Sequence, residues 1–130
     1  MSQKIRFIEN PAVKGREENY TTLYVRVPEV LDSWKNSLFS FEWLDANQQI
    51  KPIEGLAESE KQKRQRIEHI LAQGLPVEMP VLGMGMLDNV EIGIGRDIFL
   101  TLAANGVTRI PVHIPILHKD DFSPFCDTDE

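Results

Sequence analysis

A chain of 130 residues, 42% hydrophobic and 26% charged, has the size and composition of one ordinary domain and can bury a core without disulfides or metals. The net charge of -6 and the single cysteine, Cys126, argue against general nucleic-acid binding and exclude an internal disulfide. No apolar run reaches the length of a membrane span and the N-terminus lacks a signal-peptide core, so a cytoplasmic location is expected.

Residues 1–20 are polar and broken by Pro11 and Gly15, which predicts an irregular segment. In "TLYVRV" Leu23, Val25 and Val27 alternate with Tyr24 and Arg26, the pattern of a half-buried strand over residues 23–27. Pro28 suits a first helical turn, and Val30, Leu31 and Trp34 make an apolar stripe, predicting a helix over 29–35. Phe39, Phe41 and Trp43 alternate in "LFSFEWL" and are expected to share a strand face and enter the core; base stacking is the competing reading. A loop around Pro52 and Gly55 follows.

"LAESEKQKRQRIEHILAQG" predicts a helix over 58–73. Ser59 and Gln62 fit a capping box, Glu58 and Glu60 suit the positive helix start, and Gly74 fits the stop. Ile67, Ile70 and Leu71 form its apolar stripe. Lys61, Lys63, Arg64 and Arg66 read as a solvated face balanced by glutamates, with phosphate contact as the alternative. Strands are predicted over 77–82 and 90–94, with Asp88-Asn89 turning between them. Met79, Met84 and Met86 are expected to fill core or sheet surface, and Gly83 and Gly85 to mark a bulge or a close backbone approach. A helix over 96–105 should bury Ile98, Phe99, Leu102 and Ala103 and stop at Gly106. The last strand, 110–116, presents Ile110, Val112, Ile114 and Ile116 on one face, with Pro111 and Pro115 restricting it to an edge. Residues 119–130 carry five carboxylates against Lys119, giving -4 of the total charge. This acidic tail is expected to be solvated, and its alternative role is to dock on a partner, with Phe122 and Phe125 as anchors.

The stretch "VEIGIGRDIFLTLAANGVTRIPV" resembles the core of the ParB/sulfiredoxin-like fold: a strand, a Gly-Arg-His-Arg-like turn, an amphipathic helix, a glycine, then "IPV". With "LAQGLPVEMPVLG" and "LDSWKNSLFSFEWL" the chain is most similar to the plasmid fertility inhibition (Osa-like) branch, over roughly residues 22–116. The resemblance implies an α+β domain, a small mixed β-sheet with packed helices, spanning residues 21–118. It also implies an anion site at the glycine turn, lined by Gly93, Gly95 and Arg96. Helix dipole, free N–H groups and an arginine fork would together hold a phosphate there.

The motif is degenerate. Asp97 stands where histidine or asparagine is usual, and Ile98 where the second arginine is. An aspartate at a helix start takes the free N–H bonds itself and repels a phosphate, by about 1 to 4 kcal/mol at 4 Å separation. A lost arginine fork removes roughly 1.5 to 3 kcal/mol more. The pocket is therefore expected to be disabled, with Glu91 and Arg96 as remnant catalytic candidates paired in a salt bridge. No cysteine lies in the turn for sulfiredoxin chemistry, and the tail carboxylates should raise the pKa of Cys126. His113, His118, Asp120 and Asp121 offer a weak metal-site option.

No cofactor or metal is expected. Three readings compete. The first is a non-catalytic module that binds another protein, such as a component of a conjugation or secretion apparatus. The second is a weak nucleotide-dependent DNase or ATPase. The third is an immunity or antitoxin-type protein covering a basic toxin.

Overall fold

Alternation of apolar residues in two distant stretches produces the main ladder of the fold. The computed structural model describes residues 5–86 and 88–127. In chain order the elements are β1 (Phe7–Ile8), β2 (Tyr20–Arg26), α1 (Val27–Trp34), α2 (Glu58–Ala72), β3 (Val77–Glu78), β4 (Leu82–Met84), β5 (Val90–Ile92), α3 (Arg96–Ala104) and β6 (Arg109–Pro115), joined by short 3-10 turns. The fold is mixed α+β, with three two-stranded ladders: β1–β3 parallel, β2–β6 antiparallel and β4–β5 antiparallel. One parallel bridge, Val81 to His113, links the last two. Residues 90–112 are strand, helix, strand, as the pattern predicts.

β2 and β6 pair along their whole lengths, from Tyr20 opposite Pro115 to Arg26 opposite Arg109. Val25 on β2 and Ile110, Val112 and Ile114 on β6 are fully buried. Both faces of β6 are covered, because Pro111 and His113 are buried as well. His113 sends its N–H away from β2, to the Pro80 carbonyl at 2.9 Å. Pro111 and Pro115 share that parity, so their missing donors face the side where no continuous ladder forms. Ile116 departs from the expected face. It lies beyond the strand in a 3-10 turn and is half exposed.

α1 begins with Pro28 in its first turn and buries Val27, Val30 and Trp34. α2 buries Ile67, packs Ile70 and Leu71 against the core, and stops at Gly74 in the left-handed region. The expected capping box is absent: Ala57 stands at the helix start, and Gln62 bonds Glu58 instead of reaching back to Ser59. The basic residues of α2 are each paired, Lys61 with Glu58, Lys63 with Glu60, Arg64 with Glu68 and Arg66 with Asp97. α3 buries Ile98, Phe99, Leu100 and Leu102.

Residues 39–43 form a 3-10 turn at Ser40–Glu42 rather than a strand, with Trp43 buried but Phe39 and Phe41 at the surface. Ser40 Oγ donates to the Lys35 and Ser37 carbonyls at 2.9 and 3.0 Å. These local bonds coil the chain after α1 and override the alternation. The strand expected over 77–82 is broken into β3 and β4 by Pro80, which has no N–H to offer a ladder. Met86 is fully exposed at the hairpin tip rather than in the core.

The acidic segment through Asp127 folds back onto the domain. Phe122 is fully buried, Cys126 bridges Val25, and the Asp127 N–H bonds the Tyr24 carbonyl at 2.8 Å. Arg26 and Arg109 sit opposite each other on the main ladder, a repulsive pair. The tail relieves both, since Arg26 donates to the Pro124 carbonyl at 2.6 Å and Arg109 pairs with Asp127 at 3.0 Å. Residues 128–130 of the tail lie outside the described residues. At the other end, the segment read as irregular supplies β1 and buries Asn10 and Val13.

Candidate functional site

The glycine–arginine turn is built by backbone strapping. The Gly93 N–H donates to the Val81 carbonyl, and the Val81 N–H to the Ile94 carbonyl, both at 2.9 Å. Gly95 caps α3 with φ +83°, and a Cβ there would lie 3.1 Å from Pro80 Cα. Only glycine meets both conditions without strain. α3 then starts at Arg96, so free N–H groups and the positive end of the helix dipole face this turn.

The charges around it are already used. Arg96 Nε donates to the Ile92 carbonyl and Nη1 to Glu42 Oε1, each at 3.2 Å. The guanidinium lies 5.1 Å from the Phe39 ring centre and 6.0 Å from that of Trp34, within cation–π range. Asp97 Oδ1 accepts the Ile98 N–H at 2.9 Å, so the aspartate consumes one of the donors an anion would need. Its Oδ2 lies 3.7 Å from Arg66. Glu60 accepts the Trp43 indole N–H at 2.9 Å and pairs with Lys63 at 3.2 Å. Burial alone would raise the Glu60 pKa. The Trp43 indole, Lys63 and Arg96 together outweigh burial and hold it below its ordinary value.

Between these groups lies an open pocket of about 400 Å³, lined by Gly93, Gly95, Arg96 and Asp97 with Phe39, Glu42, Glu60 and Lys63. Its three carboxylates outnumber its two cations. A wider cavity of about 570 Å³ lies elsewhere, between β1 and the C-terminal ends of α2 and α3.

Gly93, Gly95 and Arg96 are thus brought together as the turn predicts, but Glu91 is not with them. It sits on the opposite face of β5 from Val90 and Ile92, where Oε1 accepts from Ser37 Oγ at 2.8 Å and Oε2 from Asn89 Nδ2 at 2.9 Å. A Cβ on Gly85 would come within 2.8 Å of Glu91 Cγ, so a side chain there would collide with Glu91 unless that side chain shifted. The expected Glu91–Arg96 salt bridge is replaced by Glu42–Arg96. Sequence reasoning missed Glu42 because 54 residues separate it from Arg96 and nothing local marks the pair. Phe39 was missed because its alternation points to a strand. Glu60 and Lys63 were legible only as a helical pair three residues apart.

Two of the three histidines are spent structurally. His113 Nε2 accepts the Asn10 N–H at 3.0 Å and His118 Nδ1 the Met84 N–H at 3.2 Å. Among the described residues no group of three or more His, Cys, Asp or Glu is arranged to hold a metal, which removes the option built on His113, His118, Asp120 and Asp121. The Cys126 thiol pKa is raised, but by burial rather than by tail carboxylates, with Arg26 opposing. Among the described residues no helix is long and apolar enough to cross a membrane. No family model matches the chain, and no curated protein or solved structure matches it either.

Proposed function

We propose that this domain is non-catalytic and acts by binding another protein through the apolar turn beside the start of α3. The observation that carries the reading is the internal use of Arg96, tied to Glu42 and seated against Phe39. A guanidinium held this way is a structural clamp rather than a phosphate fork, because its Nε and Nη1 donors are in use and its plane lies against the Phe39 and Trp34 rings. The clamp braces a turn on which Leu38, Phe39 and Phe41 are 82%, 50% and 67% exposed. Three large apolar side chains displayed within four residues, with a charged rim of Glu42 and Arg96, have the character of a docking surface.

The order β5, α3, β6 around a glycine–arginine turn supports reading the fold as ParB/sulfiredoxin-like. Its similarity to the plasmid fertility inhibition branch suggests a component of a conjugation or secretion apparatus as the partner. The 400 Å³ pocket at a helix start favours the second reading, a weak nucleotide-dependent DNase or ATPase. Against it, the Glu91 carboxylate is bonded to Ser37 and Asn89 and does not line that pocket.

The test is capture of the native partner on immobilised protein, identified by mass spectrometry, with Leu38→Ser/Phe41→Ser beside Arg96→Ala. The double variant removes exposed side chains only and should lose most of the capture while unfolding at the normal temperature. Capture that survives the double variant would overturn the assignment of the surface.

A further inference from the structure

One imidazole ties the N-terminal segment to β6. Asn10 is buried, and its backbone N–H donates to His113 Nε2 at 3.0 Å. Its side chain fixes the neighbouring chain: Nδ2 donates to the Met79 carbonyl and Oδ1 accepts the Ala12 N–H, both at 2.9 Å. That second bond starts the turn Pro11–Val13, whose Val13 is buried. Before Asn10, β1 pairs in parallel with β3 over only two residues, Phe7 with Val77 and Ile8 with Glu78. So short a parallel pairing holds little by itself. Arg6 also donates to the Gly74 carbonyl at 2.6 Å, and Ile5 and Phe7 pack on the core, but the bond that ties the segment to β6 is the one from Asn10 to the His113 lone pair.

A backbone N–H can only donate, so Nε2 must accept and the ring must be neutral. A proton on Nε2 would set N–H against N–H in a buried site, losing the bond and burying a charge. Thr22 stands opposite His113 on β2, and Val81 and Pro80 flank it on the other side; none of these is charged. Glu9, beside the anchor, is the carboxylate that acts on the ring, and it favours protonation. Burial outweighs it and holds the pKa below 6.5. The closed state is therefore the state at neutral pH.

We propose that His113 is a proton-operated latch: protonation at Nε2 releases residues 5–13 while the β2–β6 ladder and α3 stay folded. Release uncovers the pairing edge of β3. It also removes Ile5 and Phe7 from the wall of the 570 Å³ cavity, leaving Leu71, Leu75 and Val107 facing an open groove. The folded pKa lies below the unfolded one, so the latch contributes in full above pH 6.5 and fails as pH falls through the folded value. This regulation goes beyond the protein-binding reading and stands or falls without it.

The experiment is an NMR titration of the full chain from about pH 7.5 to about pH 5, the range in which histidines report. The amides of Asn10, Ala12, Val77 and Met79 should leave their folded positions with the His113 ring, on one midpoint below 6.5. The amides of Val25 and Val112 should stay. His113→Gln keeps a neutral acceptor and should abolish the pH dependence of the first set. Glu9→Gln, an exposed change, should move the midpoint down and decides the matter if His113→Gln does not fold. Titration of the ring with an unmoved Asn10 amide would overturn the latch. Loss of the Val25 and Val112 amides at the same midpoint, or a Glu9→Gln midpoint that stays in place, would do so equally.

Discussion

At Gly95 two constraints meet, a φ of +83° and an approach to Pro80 Cα that leaves a Cβ only 3.1 Å away. Gly95→Ala should therefore cost at least about 1 to 2 kcal/mol from the left-handed conformation alone, measured by urea unfolding; a neutral result would mean the turn is not strapped as described. Trp43 makes a different point. Its ring is buried and its indole N–H goes to Glu60. Trp43→Phe keeps most of the packing and removes the donor, at roughly 1 to 3 kcal/mol. Because the Glu60 pKa is lowered from 4.5, its contribution is present above that value and is lost as pH falls through the folded one. Trp43→Phe should shrink this acid-side loss, read from unfolding free energies on either side of pH 4.5.

Elements whose stability is local were legible, and elements closed by distant partners were not. α2 and α3 follow from apolar spacing and from glycine stops, and β5 from strict alternation. The turn at Ser40–Glu42 misled because the Ser37 N–H bonds back to the Trp34 carbonyl and Ser40 Oγ to the Lys35 carbonyl, a choice that alternation does not register. The outer edge of β5 is covered by side chains: Ser33 Oγ accepts the Val90 N–H, Asn89 Nδ2 donates to the Val90 carbonyl, and Arg96 Nε donates to the Ile92 carbonyl. Edge blunting of this kind discourages strand addition by another chain. The tail is the clearest case of charge misleading the reading, since five carboxylates concealed one buried phenylalanine. Phe122→Ala should cost about 3 to 5 kcal/mol. Deleting residues 119–130 should lower the melting temperature by roughly 10 °C or more, in contrast to a solvated tail, whose removal would leave it unchanged.

Across the whole molecule, one element order makes the site. β6 lies between β2 and the stretch entering β4, and that stretch carries Pro80 and Val81 against the glycine turn. Gly93, Gly95 and Arg96 were visible from the sequence because they are adjacent in the chain. The groups that neutralise Arg96 come from the turn after α1, and those beyond it from α2, so only the folded chain brings them in. We propose that the charged groups at the glycine–arginine turn are spent on one another and leave no anion site. This proposal is tested most directly by isothermal titration with ATP, CTP and GTP in the presence of magnesium, run beside Arg96→Ala. No binding tighter than about millimolar, a free energy of ~4 kcal/mol, is expected for either protein. A micromolar isotherm that Arg96→Ala abolishes would contradict it.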